Sequence, residues 1–151
     1  MESYAPICLV ARVYGSILIF MTGRAAPRVL LLDDEKLLLL LYKTSFEKFG
    51  YEVSFFHDVD TALSALRGGF DPEVILFDIT MPESRSGYEF IEAVKKEHLA
   101  HRALKIALTN EGQLGEVSRM QELGADAHIL KAKYIPSELV AYVSDLLAHR
   151  A

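Results

Sequence analysis

The sequence has little of several residue patterns that define common classes of protein. Its single cysteine, Cys8, has no partner for an intramolecular disulfide, and no group of His and Cys residues has the spacing of a metal site. No run of Lys or Arg forms a basic stripe, and the formal net charge is −5. These absences argue against a disulfide-stabilised domain and against direct binding to nucleic acid. We therefore expect a cytoplasmic protein, and 151 residues allow one domain with a single site.

The apolar runs of the sequence are also too short for a helix that spans a membrane. The stretch from Ile7 to Met21 is apolar but is interrupted by Arg12, whereas a spanning helix needs about 20 predominantly apolar residues. A secretory signal is disfavoured, because Glu2 rather than a basic cluster precedes the apolar part. We interpret residues 1–27 as an extension upstream of the domain, with Met21 as an alternative initiation site. An accessory strand or an oligomer contact is the functional alternative, and no membrane insertion is expected.

From Arg28 onward, short apolar runs alternate with segments of helical periodicity, the pattern of βα units around a parallel sheet. The predicted strands are residues 29–32, 52–56, 74–77, 105–108 and 127–130. The predicted helices are residues 36–49, a segment from an N-cap at Asp58 to Gly68, a segment containing Phe90, Ile91 and Val94, and residues 113–123 and 137–149. This pattern predicts an α/β fold of the doubly wound, flavodoxin-like (βα)5 type over residues 28–151, with its parallel sheet in the order 2-1-3-4-5.

Polar residues follow these apolar strands at the carboxyl end of the sheet, where ligands bind in open α/β folds. Asp33 and Asp34 follow the first strand, Asp78 the third, Thr109 the fourth and Lys131 the fifth. In the order 2-1-3-4-5 these side chains converge on one pocket. Carboxylates brought this close repel one another, and Mg²⁺ is the hard, oxygen-binding cation that best offsets their charge. An aspartate nucleophile, a lysine ammonium and a threonine hydroxyl are the groups that phosphoryl transfer to a protein carboxylate requires.

Four segments carry a resemblance to a known family: VLLLDDE at 29–35, VILFDITMP at 74–82, KIALT at 105–109 and HILK at 128–131. Together they resemble the response-regulator receiver domains of the CheY-like type, from about Arg28 to the C-terminus. The resemblance implies that Asp78 is the phosphoacceptor, that Asp34, Asp78 and the backbone carbonyl of Thr80 bind Mg²⁺, and that Asp33 assists through bound water. It also implies that Thr109 and Lys131 hold the phosphoryl group. Because the chain ends after the last predicted helix, we expect a stand-alone receiver.

The sequence departs from the family pattern on the far side of this pocket. Ala132 follows Lys131, where the family usually has a proline joined by a cis peptide, and a cis bond before alanine costs about 2.5–4 kcal/mol, so we predict a trans peptide. His128 stands where the family usually has Tyr or Phe, and it is interpreted either as an altered, pH-sensitive switch residue or as an ordinary surface histidine. The loop before Gly87 is one residue longer than the common form. In it, Arg85 is a candidate contact for phosphate.

The run of five leucines from Leu37 to Leu41 provides a separate prediction. The stripe predicted to face inward consists of Leu38, Leu41, Tyr42, Ser45, Phe46 and Phe49. Leu37, Leu39 and Leu40 are then left pointing elsewhere, and exposed apolar clusters indicate a contact surface. In the family, the first helix docks against a histidine kinase or a histidine phosphotransfer protein. We therefore predict partner docking through Leu37, Leu39 and Leu40, and helix propensity alone is the alternative.

We predict a phosphoacceptor switch: phosphorylation of Asp78 shifts the surface around helix four, strand five and helix five, so that a downstream protein target binds. A haloacid-dehalogenase-like phosphatase would need a second Asp two residues after the first, and that position is Thr80. The second rival is a degenerate receiver that acts as a phosphorylation-independent protein-binding module, and Ala132 supports it. Taken singly, each aspartate also fits a capping or turn role. The joint placement at strand ends favours the phosphoacceptor.

Overall fold

The computed structural model describes residues 25–81, 85–110 and 114–150. Of the predicted N-terminal extension, residues 1–24 lie outside the described residues, so the proposals for that segment stay predictions. Within the described residues, no helix is long and apolar enough to cross a membrane.

Parallel strands and helices alternate along the described part of the chain, in the order that the sequence predicts. The strands are β1 (Arg28–Leu32), β2 (Glu52–Phe56), β3 (Val74–Asp78), β4 (Leu104–Thr109) and β5 (Ala127–Leu130). The helices are α1 (Lys36–Lys48), α2 (Val59–Arg67), α3 (Gly87–Lys96), α4 (Val117–Glu122) and α5 (Pro136–Arg150). All strand pairs are parallel and the sheet order is β2-β1-β3-β4-β5, which confirms the predicted flavodoxin-like topology.

The helix boundaries follow local signals in most places. Asp58 caps α2 as predicted, because its side chain accepts a hydrogen bond of 2.8 Å from the Thr61 backbone N–H. Gly50, just after α1, has a φ of 87°, a conformation that glycine adopts without steric strain. The predicted helix over residues 113–123 is shorter in the structure: a 3₁₀ turn at Leu114–Glu116 precedes α4. Gly115 lies inside this turn, and glycine is a poor helix former.

The helices cover both faces of the sheet and create a core on each side. Strand β3 is buried along its whole length, as expected for the central strand of a parallel sheet. One core contains Leu30, Ile75, Phe77 and Phe90, and the other contains Leu31, Leu76, Phe46 and Val140. This double burial fixes the strand ends relative to one another, so the polar residues that follow the strands are held at one edge.

The inward stripe of α1 differs from the predicted one. Leu39 is 2% exposed and packs with Tyr42 and Phe46, whereas Leu41, predicted to face inward, is 48% exposed. Tyr42 and Phe46 face inward in both the predicted and the observed stripe, so the helix is rotated by less than one residue, under about 100°, from the predicted phase. This rotation buries Leu39 in place of Leu41, and five successive leucines fit either phase. Leu39 is therefore removed from the predicted docking residues, while Leu37 and Leu40 are exposed as predicted.

Candidate functional site

The carboxyl edge of the sheet brings together polar side chains that are otherwise far apart in sequence. In the strand register Leu32 pairs with Phe77, Asp78 with Leu108, and Thr109 with Leu130. Asp33 and Asp78 therefore lie at one level, and Thr109 lies one residue beyond that level. They are 1%, 2% and 0% exposed, and among the described residues they form the set of fully buried polar side chains. Buried polar groups need partners, so the arrangement at this edge indicates a specific site.

Three carboxylates form the acidic side of the site. Asp33, Asp34 and Asp78 each offer an oxygen, and these atoms lie within 4.8 Å of one another. Asp33 Oδ1 accepts a 3.0 Å hydrogen bond from the Glu35 backbone N–H, and Asp78 Oδ1 accepts one of 3.1 Å from the Thr80 backbone N–H. The N-cap position of α1 is Glu35, which makes no side-chain cap hydrogen bond, so neither Asp33 nor Asp34 stands at that position. An oxygen-only cluster of this size fits a hard cation such as Mg²⁺.

Burial and neighbouring negative charge both act on the carboxyl groups of the cluster. Burial raises the pKa of Asp78 from 3.8 to about 6, with a further rise from the charge of Asp33, although attraction to Lys131 lowers it. Burial and repulsion from Asp33 also raise the pKa of Asp34. Desolvation and like charge both penalise the ionised form of a carboxyl group. A cation at this position would relieve both effects, so the three carboxylates are suitable ligands for a metal ion.

Lys131 forms the basic side of the site. Its Nζ lies 2.5 Å from Asp33 Oδ2 and 3.2 Å from Asp78 Oδ2, and its side chain is 11% exposed. Burial acts to lower the pKa of Lys131, but the hydrogen bonds and charges of Asp33 and Asp78 outweigh burial and raise it. The ammonium thus stays charged between two carboxylates.

Ala132 does not prevent this reach. The described peptide bonds are trans, as predicted for the bond before Ala132, and residues Lys131–Lys133 form a 3₁₀ turn directly after β5. That turn points the lysine back over the carboxyl edge of the sheet. The contact between Lys131 and Asp33 was not predicted, because the sequence suggested only a shared pocket.

Thr109 on β4 and His128 on β5 contact each other, on the opposite side of β3 from Asp33. Thr109 Oγ1 lies 2.5 Å from His128 Nε2 and 3.5 Å from the backbone oxygen of Ile129. His128 is half-buried, and its ring contacts the buried Thr109 hydroxyl. The structure therefore places His128 in the site, through Thr109.

Arg85, in the loop before α3, and Gly87, the first residue of α3, have roles that differ from the prediction or were missed by it. Arg85 pairs with Asp60 at 3.0 Å and with Glu89 at 3.3 Å, so its side chain is held by α2 and α3 rather than by the carboxylate cluster. Gly87 packs against the end of β3: a Cβ there would overlap the Asp78 carbonyl oxygen and lie 2.8 Å from Ile79 Cα. Its place at the start of a helix was visible in the sequence, but the close approach was not.

Known proteins match this chain along most of its length. Residues 29–144 match the family model described as response regulator receiver domain. The phosphate regulon transcriptional regulatory protein PhoB of Escherichia coli K12 is 30% identical over 81% of this chain, and the response regulator SaeR of Staphylococcus aureus USA300 is 32% identical over 79%. The match covers 52% of PhoB and 50% of SaeR, so this chain spans about half the length of those relatives.

A solved structure gives the same result for the fold. The CheY-like response regulator receiver domain protein from Methanospirillum hungatei JF-1 has a TM-score of 0.72 and 28% identity. The match covers 82% of this chain and 95% of that one. With its parallel sheet, its acidic cluster and its lysine at the carboxyl edge, the chain belongs to the response regulator receiver domain family.

Proposed function

We propose that this chain is a phosphoacceptor switch that is modified on Asp78. The observation that carries the proposal is the convergence of Lys131, within 3.2 Å of Asp78 Oδ2, with two further carboxylates at one buried edge. In the transfer step, an Asp78 oxygen attacks the phosphorus of a phosphohistidine on the donor protein. The P–N bond breaks, its electron pair leaves with the imidazole, and an acyl phosphate forms on Asp78.

The residues that would hold Mg²⁺ are Asp34 and Asp78 through their side chains and Thr80 through its backbone carbonyl. Both oxygens of Asp33 already accept hydrogen bonds, from Glu35 and Lys131, which supports a role for Asp33 through water rather than as a direct ligand. When bound, the ion supplies positive charge that offsets the carboxylates and the phosphoryl oxygens. Lys131 neutralises a phosphoryl oxygen from the other side, and the Thr109 hydroxyl donates a hydrogen bond to the same group.

The donor in this proposal is a histidine kinase or a histidine phosphotransfer protein, and it docks on the exposed leucines of α1. We define the docking face as Leu37, Leu40 and Leu41, which are 67%, 57% and 48% exposed. Leu37 is the second residue of α1 and follows Asp34 by three residues, so a partner seated there places its histidine near Asp78. Phosphorylation then shifts the α4–β5–α5 surface, and a downstream protein binds that surface.

The chemistry is tested with a small phosphodonor, which needs no docking. Acetyl phosphate and Mg²⁺ should phosphorylate the wild-type chain, and borohydride trapping followed by peptide mass spectrometry should locate the group on Asp78. Asp78→Asn is the control that should stay unmodified. An unmodified wild-type chain that still binds a protein partner would favour the alternative, a phosphorylation-independent binding module. Ala132 was the main support for that alternative, and the reach of Lys131 into the site weakens it.

Docking is tested by a comparison of two phosphodonors. Leu37→Gln with Leu40→Gln should slow phosphotransfer from the histidine kinase that phosphorylates the wild-type chain fastest, and should leave modification by acetyl phosphate unchanged. Ile135→Gln is a matched control, because Ile135 is 61% exposed but lies next to α5 rather than on α1. If the leucine variant reacts equally slowly with both donors, or the Ile135 variant is slowed as much, the docking face is wrong.

A further inference from the structure

The contact between Thr109 and His128 arises from the strand register. Thr109 pairs with Leu130 across the parallel β4–β5 ladder, and His128 lies two residues before Leu130. Paired residues point to the same side of a sheet, and so do residues two apart on one strand. Thr109 and His128 therefore share one face, where Thr109 Oγ1 is 2.5 Å from His128 Nε2. The ring reaches a hydroxyl that is fully buried, because Thr109 is 0% exposed.

The direction of this hydrogen bond decides what the hydroxyl can do next. A threonine hydroxyl has one proton to donate, while its oxygen can accept two hydrogen bonds. If His128 Nε2 is the acceptor, the Thr109 proton is used on the ring and none is left for a phosphoryl oxygen. If Nε2 carries the proton, the oxygen of Thr109 accepts from the ring and its own proton stays available. In the unmodified protein that proton can point to the Ile129 carbonyl oxygen, 3.5 Å away, which only accepts.

We propose that His128 donates its Nε2–H to Thr109 and so frees the Thr109 proton for the phosphoryl group on Asp78. His128 is then a positioning residue, which acts on the phosphoryl group through Thr109. Thr109 directly follows Leu108, the register partner of Asp78, so Thr109 ends the strand next to β3 within one residue of the level of Asp78. This inference rests on the proposed phosphorylation of Asp78, and it adds which ring nitrogen must carry a proton and why.

The first test uses the wild-type chain and reads the tautomer directly. Long-range ¹H–¹⁵N spectra of the histidine rings are recorded with Mg²⁺, before and after addition of beryllofluoride, which mimics the phosphoryl group. We expect the His128 Nε2 resonance to be that of a protonated nitrogen in the beryllofluoride state, with the assignment taken from a spectrum of His128→Gln. A protonated Nδ1 together with a bare Nε2 in that state would overturn the proposal.

The second test measures beryllofluoride affinity in variants that keep or remove the donor. His128→Phe should bind beryllofluoride about three to ten times more weakly, the range expected for loss of one oriented hydrogen bond. His128→Gln, whose amide can still donate, should stay within about twofold of the wild type. In a Thr109→Val background, His128→Phe should have no further effect, because the hydroxyl through which it acts is gone.

The outcomes separate this inference from the proposed function. Wild-type binding together with unchanged binding by His128→Phe would overturn the role of His128 and leave the phosphoacceptor intact. Equal weakening by His128→Phe with and without the Thr109 hydroxyl would also overturn it, because the effect would then not pass through Thr109. A wild-type chain that binds no beryllofluoride would overturn the proposed function, and this inference with it.

Discussion

Replacement of Asp78 by asparagine should stabilise the protein in the absence of metal, and the gain should shrink in acid. Asp78 is 2% exposed, and burial is the main cause that raises its pKa from 3.8 to about 6. Asparagine has nearly the same shape and no charge. The variant therefore removes a buried charge that the fold must otherwise accommodate. It also removes the proposed phosphoacceptor.

The sign and size of the effect follow from linkage between protonation and folding. Because the folded protein holds the proton more tightly than the unfolded chain, the stability from protonated Asp78 is fully present below pH 3.8 and is lost as the pH rises through about 6. A pKa that moves from 3.8 to about 6 corresponds to about 3 kcal/mol of unfolding free energy. That figure already includes the attraction to Lys131, which lowers the pKa.

Urea unfolding in EDTA measures this difference. We expect Asp78→Asn to exceed the wild type by about 3 kcal/mol at about pH 7.5, and by about 1 kcal/mol at about pH 4.5. Asp71→Asn, an exposed position at the amino end of β3, is the control and should change stability by less than about 0.5 kcal/mol at both pH values. Equal stability of wild type and Asp78→Asn at the higher pH, or a gain that persists undiminished in acid, would refute the reasoning.

Three further perturbations follow from the same structure. Lys131→Ala should lower the unfolding free energy by about 3 kcal/mol in EDTA, because it leaves buried carboxylates unpaired, and Mg²⁺ should restore part of the loss in the same urea assay. Leu39→Ala should lower it by about 2–5 kcal/mol and Leu40→Ala by less than about 0.5 kcal/mol, so equal effects would contradict the observed phase of α1. Gly87→Ala should both destabilise the fold and slow modification by acetyl phosphate, since it displaces the Asp78 backbone; an unchanged rate would argue against that close approach.

The topology of the sheet could be predicted from the sequence because its signals agree with one another. Each strand is a short, mostly apolar run that ends at a polar residue, and β3 ends directly at Asp78. Parallel strands align their carboxyl ends, so residues such as Asp33 and Asp78 meet once the strand order is known. The acidic cluster is a consequence of backbone topology, so it could be predicted without knowledge of side-chain packing.

Side-chain details could not be predicted, because they depend on choices between packings that the sequence fits equally well. The leucine run is apolar at every position, so it does not show whether Leu39 or Leu41 is buried, and only the structure shows that Leu39 packs with Tyr42 and Phe46. The reach of Lys131 depends on the 3₁₀ turn that follows β5. Likewise, His128 gains its partner only through the β4–β5 register.

The charges at this edge connect the stability of the fold with its chemistry. Three buried or half-buried carboxylates face a single ammonium, so the ionised cluster carries a net charge of −2, which a divalent cation balances. Burial first, and repulsion from Asp33 in addition, raise the pKa values of Asp34 and Asp78. A group that brings positive charge to the edge favours the ionised form of these carboxyl groups and is therefore bound more favourably. Lys131 already neutralises part of the charge through Asp33, and this lets the edge fold before a cation or a phosphoryl group arrives.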